Sequence, residues 1–271
     1  MTDIGSIGFL GGGRMAEALV RGILQGNLLD AAQIHVVDPD QERCSLMSET
    51  YKVSASTDYA PIWACDIIIL AVKPQVMGSL LELCRDDIRP DHLLISIAAG
   101  IPLHFIEERL VDGCRVIRVM PNTPALVLAG ASALSPGKAV GDADLGVARA
   151  IFDAVGISVV MPESQLDAVT GLSGSGPAYV FTFLDSLIEA GLKVGLARND
   201  AEKLAQQTIL GSVQLAMETG EHPAQLKAMV TSPGGTTIAA LHELEKAGFK
   251  AAIMTAVETA TERSRELGRL F

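Results

Sequence analysis

Aromatic residues are scarce: one Trp, three Tyr and seven Phe among 271 residues, although hydrophobic residues make up 49%. Any core must therefore be packed from Ala, Val, Ile and Leu, and there is ample material for a large one. Positive charge is also short. Lys and Arg number 21 against 32 Asp and Glu, a net charge of −11, so the chain lacks the basic field that a nucleic-acid partner requires. That balance leaves room for a small anion held locally by backbone N–H groups. No apolar run approaches the roughly 18 residues of a membrane span. The opening MTDIGSIGF has neither the basic region nor the long apolar core of a secretory leader. The expectation is a cytoplasmic protein without a membrane partner. Cys44, Cys65, Cys84 and Cys114 are widely spaced, with no C-x-x-C pair and no His at ligand spacing. They read as small buried apolar residues in a reducing compartment, and no metal site is expected.

What is present is concentrated first in Ser6–Ala16, SIGFLGGGRMA. Ile7–Leu10 reads as a short buried strand and Met15–Leu24 as an apolar-periodic helix. Between them Gly11, Gly13 and Ala16 stand in G-x-G-x-x-[G/A] spacing. Gly11 permits the tight turn, Gly13 lets the backbone approach a pyrophosphate, and Ala16 lets helix and strand pack closely. The helix start adds N–H groups and partial positive charge. Strand, turn, helix and a later acidic residue in this order are the context that a dinucleotide-binding turn needs.

The chain length suggests about two domains. Strands are expected at Ser6–Leu10, Ile34–Val37, Ile67–Val72, Leu93–Ile97, Val116–Met120, Ala131–Leu134 and Ile157–Met161. Helical patterns such as Gln41–Thr50, Val76–Ile88 and Asp144–Val155 lie between them. Unbroken apolar strands alternating with helices predict a doubly wound α/β domain built on a parallel sheet. After Met161-Pro162 strands cease. Pro177–Val194 reads as a long apolar helix and Asn199 caps another, with Glu202 completing a capping box. Further helices follow at Ala224–Val230, Thr236–Lys246 and Phe249–Leu267. The predicted architecture is an N-terminal Rossmann-type dinucleotide-binding domain, 1–162, followed by an all-α C-terminal dimerisation domain, 163–271. Tyr179, Val180, Phe181, Phe183, Leu184, Leu187 and Ile188 crowd one short stretch. A helix apolar nearly all round is buried, and this half has few ways to bury so many faces alone. A two-fold dimer through these helices is expected rather than a self-contained bundle.

Further candidate site residues follow the strands. Asp38 ends the second one, where an acid hydrogen-bonds the adenosine ribose and favours NAD; the alternative is a cap for the Gln41 helix. Arg14 and Arg43 are the candidates to meet a 2′-phosphate instead, so NADP stays open. Ala71-Val72-Lys73-Pro74 ends the third strong strand, with Pro74 opening a helix where its missing N–H is harmless. Ser96–Gly100 (SIAAG) and Met120–Ala125 (MPNTPA) follow the next two. In the helical half, Gly171–Tyr179 (GLSGSGPAY) offers small residues for close approach. Val230–Thr237 (VTSPGGTT) opens a helix whose free N–H groups, with hydroxyls at Ser232, Thr236 and Thr237, suit a carboxylate.

In order, the glycine loop, AVKPQ, SIAAG, MPNTP, GLSGSGPAY and VTSPGGTT resemble the pyrroline-5-carboxylate reductase family over essentially the whole length. The last motif is the family's signature. The resemblance implies reduction of 1-pyrroline-5-carboxylate to L-proline with NADPH or NADH, the final step of proline synthesis. It implies that Thr237 hydrogen-bonds the substrate's ring nitrogen, while Ser232 and the amides of Gly234, Gly235, Thr236 and Thr237 hold its carboxylate. Gly11, Gly12, Gly13, Arg14, Met15, Ala16 and Asp38 then face the cofactor, and Ala71, Val72, Lys73 and Pro74 line its groove. Ala98 to Gly100 and the loop of Asn122 border the nicotinamide. It also implies interlocked helical halves of two subunits and, in some members, rings of dimers. The family usually has Asn at the position of Arg14.

A protonated cyclic imine is already electrophilic, so orientation and exclusion of water are the protein's main tasks. Two other readings differ at named residues. A β-hydroxyacid dehydrogenase needs a lysine acid/base after its second glycine motif, and Gly176 is followed by Pro177-Ala178-Tyr179-Val180, with Lys193 several turns on. A non-catalytic NAD(P) sensor has no use for the Pro233–Thr237 anion site.

Overall fold

Residues 4–271 are described in a computed structural model. The first three residues of the opening segment, read above for a targeting signal, lie outside the described residues. Eight strands form one sheet: Ile7–Leu10 (β1), Ile34–Val37 (β2), Ser54–Ser56 (β3), Ile67–Leu70 (β4), Leu93–Ser96 (β5), Arg115–Met120 (β6), Gly130–Pro136 (β7) and Gly156–Val160 (β8). Their order is β3-β2-β1-β4-β5-β6-β7-β8. β1 and β4 are buried at every position, as expected where helices cover both faces. Alternate residues feed two cores. Phe9 and Ile69 pack with Leu19 and Ile23 of α1 (Arg14–Gln25), with Met47 of α2 (Gln41–Tyr51) and with Phe152 of α5 (Asp142–Asp153). Leu10, Ile68 and Leu70 pack on the other side with Leu81 of α3 (Pro74–Cys84) and Ile106 of α4 (Leu103–Glu107).

The sheet corrects two expectations. β3 is an additional strand, three residues of Ser-Ala-Ser paired with β2 at the sheet edge; it has no apolar run to announce it. The sheet is also not wholly parallel, because β7 runs antiparallel to β6. Residues 121–129 join the two strands with only a 3₁₀ turn at Thr123–Val127, too short for the crossover that parallel strands need. β8 then pairs parallel to β7.

After β8 the chain passes through α6 (Leu166–Val169) into a π turn, Thr170–Gly174, closed by the Ser175 N–H donating to the Thr170 carbonyl at 2.8 Å. Then come α7 (Gly176–Lys193), α8 (Arg198–Thr219), α9 (Pro223–Met229), α10 (Thr236–Lys246) and α11 (Phe249–Gly268). Asn199 does not cap α8. That helix starts two residues earlier, capped by Ala197, whose carbonyl accepts from Asp200 at 3.1 Å and Ala201 at 3.0 Å. Asn199 and Asp200 therefore sit inside the first turn.

The chain forms two compact units, one running to Ser175 and regaining Thr259–Phe271, the other Gly176–Glu258. In the first, the C-terminal stretch is tied down: Ser264 Oγ donates to Asp167 Oδ1 at 2.7 Å, and the Phe271 ring meets Phe105 edge-on at 5.3 Å. In the second, α7 and α8 cross closely at Gly191 and Ala201. Its only buried apolar side chains are Ile188, Ala201 and Ala205. Large apolar residues stand exposed along every long helix, with Phe181 at 63%, Met217 at 75% and Met254 at 64%. No described helix is long and apolar enough to cross a membrane. The four cysteines are free and buried, and burial pushes the Cys65 and Cys84 thiols up to about 11.

Candidate functional site

The sheet order β2-β1-β4-β5-β6 brings five sequence motifs into one row along the carboxyl ends of parallel strands. Asp38 follows β2, Gly11–Gly13 follow β1, Ala71–Pro74 follow β4, Ile97–Gly100 follow β5 and Pro121–Pro124 follow β6. The order reverses between β1 and β4, the switch point at which open α/β sheets bind ligands.

At that point Gly11 has φ +103°, and a Cβ there would stand 2.6 Å from the Ala71 carbonyl oxygen. Only glycine lets the first turn approach the Ala71–Pro74 loop this closely. Gly13 ends the loop as the N-cap of α1, without a side-chain cap bond, and a Cβ on it would meet nothing within 4 Å. Open space in front of uncapped first-turn N–H groups is what a diphosphate requires. Ala16 is fully buried behind them, Met15 half-buried, and Arg14 exposed as the first helical residue.

Asp38 does not cap the next helix. Asp40 does, with its Oδ1 accepting from the Glu42 N–H at 2.9 Å. Asp38 instead accepts from the Gly12 N–H at 2.8 Å through Oδ2 and from the Asp40 N–H at 2.9 Å through Oδ1. Arg43 is not a free surface cation. Its guanidinium donates to the Gly12 carbonyl and pairs with Glu17 of α1, which also accepts from the Tyr51 hydroxyl at 3.0 Å. Burial pushes the Glu17 carboxyl up, but the bonds from Arg43 and Tyr51 outweigh it and hold the group below its ordinary value.

Further along the row, Lys73 is exposed and caps α3 with Pro74 at its first position. Ala98 is buried, and Gly100 turns the chain with φ +77°. Asn122 is engaged at both ends of its amide: Oδ1 accepts from the Ala131 N–H at 2.8 Å and Nδ2 donates to the Ser173 carbonyl at 3.1 Å. The π turn that carries Ser173 packs Gly174 against Met120, where a Cβ would come within 2.7 Å of the methionine methyl.

In the helical unit, Ser232–Gly235 is a turn closed by the Gly235 N–H donating to the Ser232 carbonyl at 3.1 Å. Pro233 and Gly234, the latter at φ +67°, occupy the positions a type II turn prescribes. Gly235 is the N-cap of α10, again with no side-chain cap bond, and a Cβ on it would collide with Ser232 Oγ at 2.3 Å. The turn thus directs the first amides of α10 outward. Thr236 is exposed and Thr237 half-buried beside them.

Residues 163–267 match the family model for pyrroline-5-carboxylate reductase dimerisation, and residues 6–100 match a model described as NADP oxidoreductase, coenzyme F420-dependent. The chain is 46% identical to the pyrroline-5-carboxylate reductase of Methanosarcina acetivorans, over 97% of this chain and 98% of that protein. The chain belongs to the pyrroline-5-carboxylate reductase family. The solved structure of the family member from Coxiella burnetii aligns with a TM-score of 0.91 at 35% identity, covering 97% of this chain and 98% of that one. That of Plasmodium falciparum, with NADP bound, aligns at 0.87 and 36%, with the same coverage. The dimerisation match spans the helices α7, α8 and α11 that carry the exposed apolar faces.

Two residues that brace the glycine loop, Glu17 and Tyr51, have no clear sequence signal and sit on what look like ordinary solvated helix faces, while Arg43, a candidate for a 2′-phosphate by sequence, is found bonded to the loop instead. The pairing of an acid in the first turns of α1 with a base in the first turn of α2 is the one faint hint.

Proposed function

We propose that this chain reduces 1-pyrroline-5-carboxylate to L-proline at the expense of NADPH or NADH. The dinucleotide-binding row is common to many reductases, so it does not identify the substrate. The observation that carries the reading is the Ser232–Gly235 turn opening α10, an uncapped helix start flanked by Thr236 and Thr237. It suits a small carboxylate and supplies no strong acid or base.

When bound, the reduced nicotinamide supplies the hydride. The chain's residues do the rest. Gly11 to Ala16 hold the diphosphate and Asp38 the adenosine ribose. Ala71, Val72, Lys73 and Pro74 line the groove, and Ala98, Gly100 and the backbone at Asn122 border the nicotinamide ring. Ser232 and the amides from Gly234 to Thr237 fix the substrate carboxylate. Thr237 hydrogen-bonds the ring nitrogen and assists protonation there. A protonated imine needs no further activation, so the catalytic gain comes from orientation and from excluding water. We take 1–162 as the dinucleotide-binding domain and 163–271 as the dimerisation and substrate domain, in keeping with the residues the dimerisation model matches. The protein acts in the cytoplasm as a homodimer or a ring of dimers, and has no nucleic-acid partner given its charge of −11.

The test is consumption of NADH and NADPH with 1-pyrroline-5-carboxylate, run beside 3-hydroxyisobutyrate with NAD⁺ or NADP⁺. Rapid oxidation with the imine supports the reading. Turnover with the hydroxyacid alone overturns it in favour of the dehydrogenase.

A further inference from the structure

We infer that this reductase selects NADH over NADPH, with Asp38 as the discriminating residue and Arg43 withheld from the cofactor as the strut of the glycine loop. The inference rests on the dinucleotide reading above and adds a specificity to it.

Asp38 is oriented before any ligand arrives. One oxygen takes the Gly12 N–H and the other the Asp40 N–H, at 2.8 and 2.9 Å. A carboxylate has about four lone-pair sites, so two remain for the ribose hydroxyls, both of which can donate. A 2′-phosphate offers only acceptors and a charge of about −2. It would find no donor in Asp38, only repulsion, with Asp40 and Glu42 exposed on the same turn.

Compensation would need a cation, and Arg43 is the nearest one in the chain past β2. It is committed elsewhere. Its side chain is 20% exposed, ion-paired to Glu17 and bonded to the Gly12 carbonyl. Its stem lies against the glycine itself: a Cβ on Gly12 would be 3.3 Å from Arg43 Cγ and 3.5 Å from Asp38 Cβ. Swinging Arg43 out would leave the part-buried Glu17 carboxylate without its cation and with only the Tyr51 hydroxyl as partner. Asp38 and Arg43 thus clamp Gly12 from its N–H and its carbonyl. Arg14 remains, exposed at the first position of α1 beside the turn that the diphosphate common to both dinucleotides would occupy, so a 2′-phosphate would have to rely on this one cation against Asp38, Asp40 and Glu42.

Titration calorimetry with NADH and NADPH reads the inference without turnover. The wild-type protein is expected to bind NADH about tenfold to a hundredfold more tightly, the worth of one hydrogen bond to a charged group. Asp38→Ser should weaken NADH, strengthen NADPH and collapse the ratio. Arg43→Gln should weaken both alike through a loosened loop, and Arg14→Ala should also weaken both alike. Equal or tighter binding of NADPH by the wild-type protein would overturn the inference alone. So would a selective loss of NADPH in Arg43→Gln or Arg14→Ala. Failure to bind either dinucleotide would overturn the dinucleotide reading with it.

Discussion

Asn122 and Ser173 lie 51 residues apart in sequence, yet the amide of one donates to the carbonyl of the other at 3.1 Å. The same side chain accepts from Ala131 at 2.8 Å. It therefore joins the loop after β6, the start of β7 and the π turn ahead of α7. Asn122→Ala should destabilise the protein by about 1–3 kcal/mol, because a part-buried N–H and carbonyl lose their partner together. Urea unfolding measures this. A change within a few tenths of a kcal/mol would show that water replaces the amide at no cost.

Thr237→Ala should lower kcat strongly while leaving NADH binding nearly intact, since Thr237 stands at the start of α10 and not in the row of strand-end loops. Thr237→Ser keeps the hydroxyl and should restore most of the turnover. Parallel loss of cofactor affinity in the alanine variant would refute the assigned role.

Phe181, 63% exposed on α7, belongs to the segment that the dimerisation model matches, and its face is the one proposed for self-association. Phe181→Glu places a charge there and should yield monomers or unfolded chain in analytical ultracentrifugation. A stable and active monomer would contradict the assignment of this face.

Stability should fall as pH drops below about 6.5, the ordinary value for His. His92 is buried at 1% exposure, its Nδ1 accepting from the Arg89 N–H at 3.1 Å and its Nε2 facing the Trp63 carbonyl at 3.3 Å. Burial and the neighbouring Arg89 lower its folded pKa. A lowered value means that the unfolded chain binds the proton more readily, so the contribution is complete above the unfolded value and is lost as pH falls towards the folded one. Tm measured between pH 7.5 and 5.5 should drop for the wild-type protein and drop less for His92→Asn.

The sequence announces what is local and conceals what is assembled from afar. The glycine loop, Pro74 at a helix start and the Thr236–Lys246 helix are each set by neighbouring residues, and the structure shows them where the sequence puts them. β3 escapes because Ser54–Ser56 owes its extension to pairing with β2, not to its own composition. The reversal of β7 follows from a connection length, which strand patterns do not encode. Asn199 resembles a cap, yet the helix takes up the residue before it. The network from Gly12 through Arg43 and Glu17 to Tyr51 joins residues far apart in sequence, and strand-end position suggests Arg43 as a cofactor contact, not as a strut. Asn122 is legible as part of a rigid loop, but the use of its amide as a cross-tie is not.

With only Ile188, Ala201 and Ala205 buried among its apolar residues, the helical unit has little core of its own, and covering the rest by self-association is a second-order event. Where self-association covers these helices, a newly made chain can close its sheet alone but waits for another copy to cover its exposed apolar faces, so the time spent uncovered lengthens as copies become rarer. During that interval Phe181, Met217 and Met254 face water, and correct pairing competes with indiscriminate sticking. The abundance of the protein then sets how fast, as well as how firmly, each chain matures.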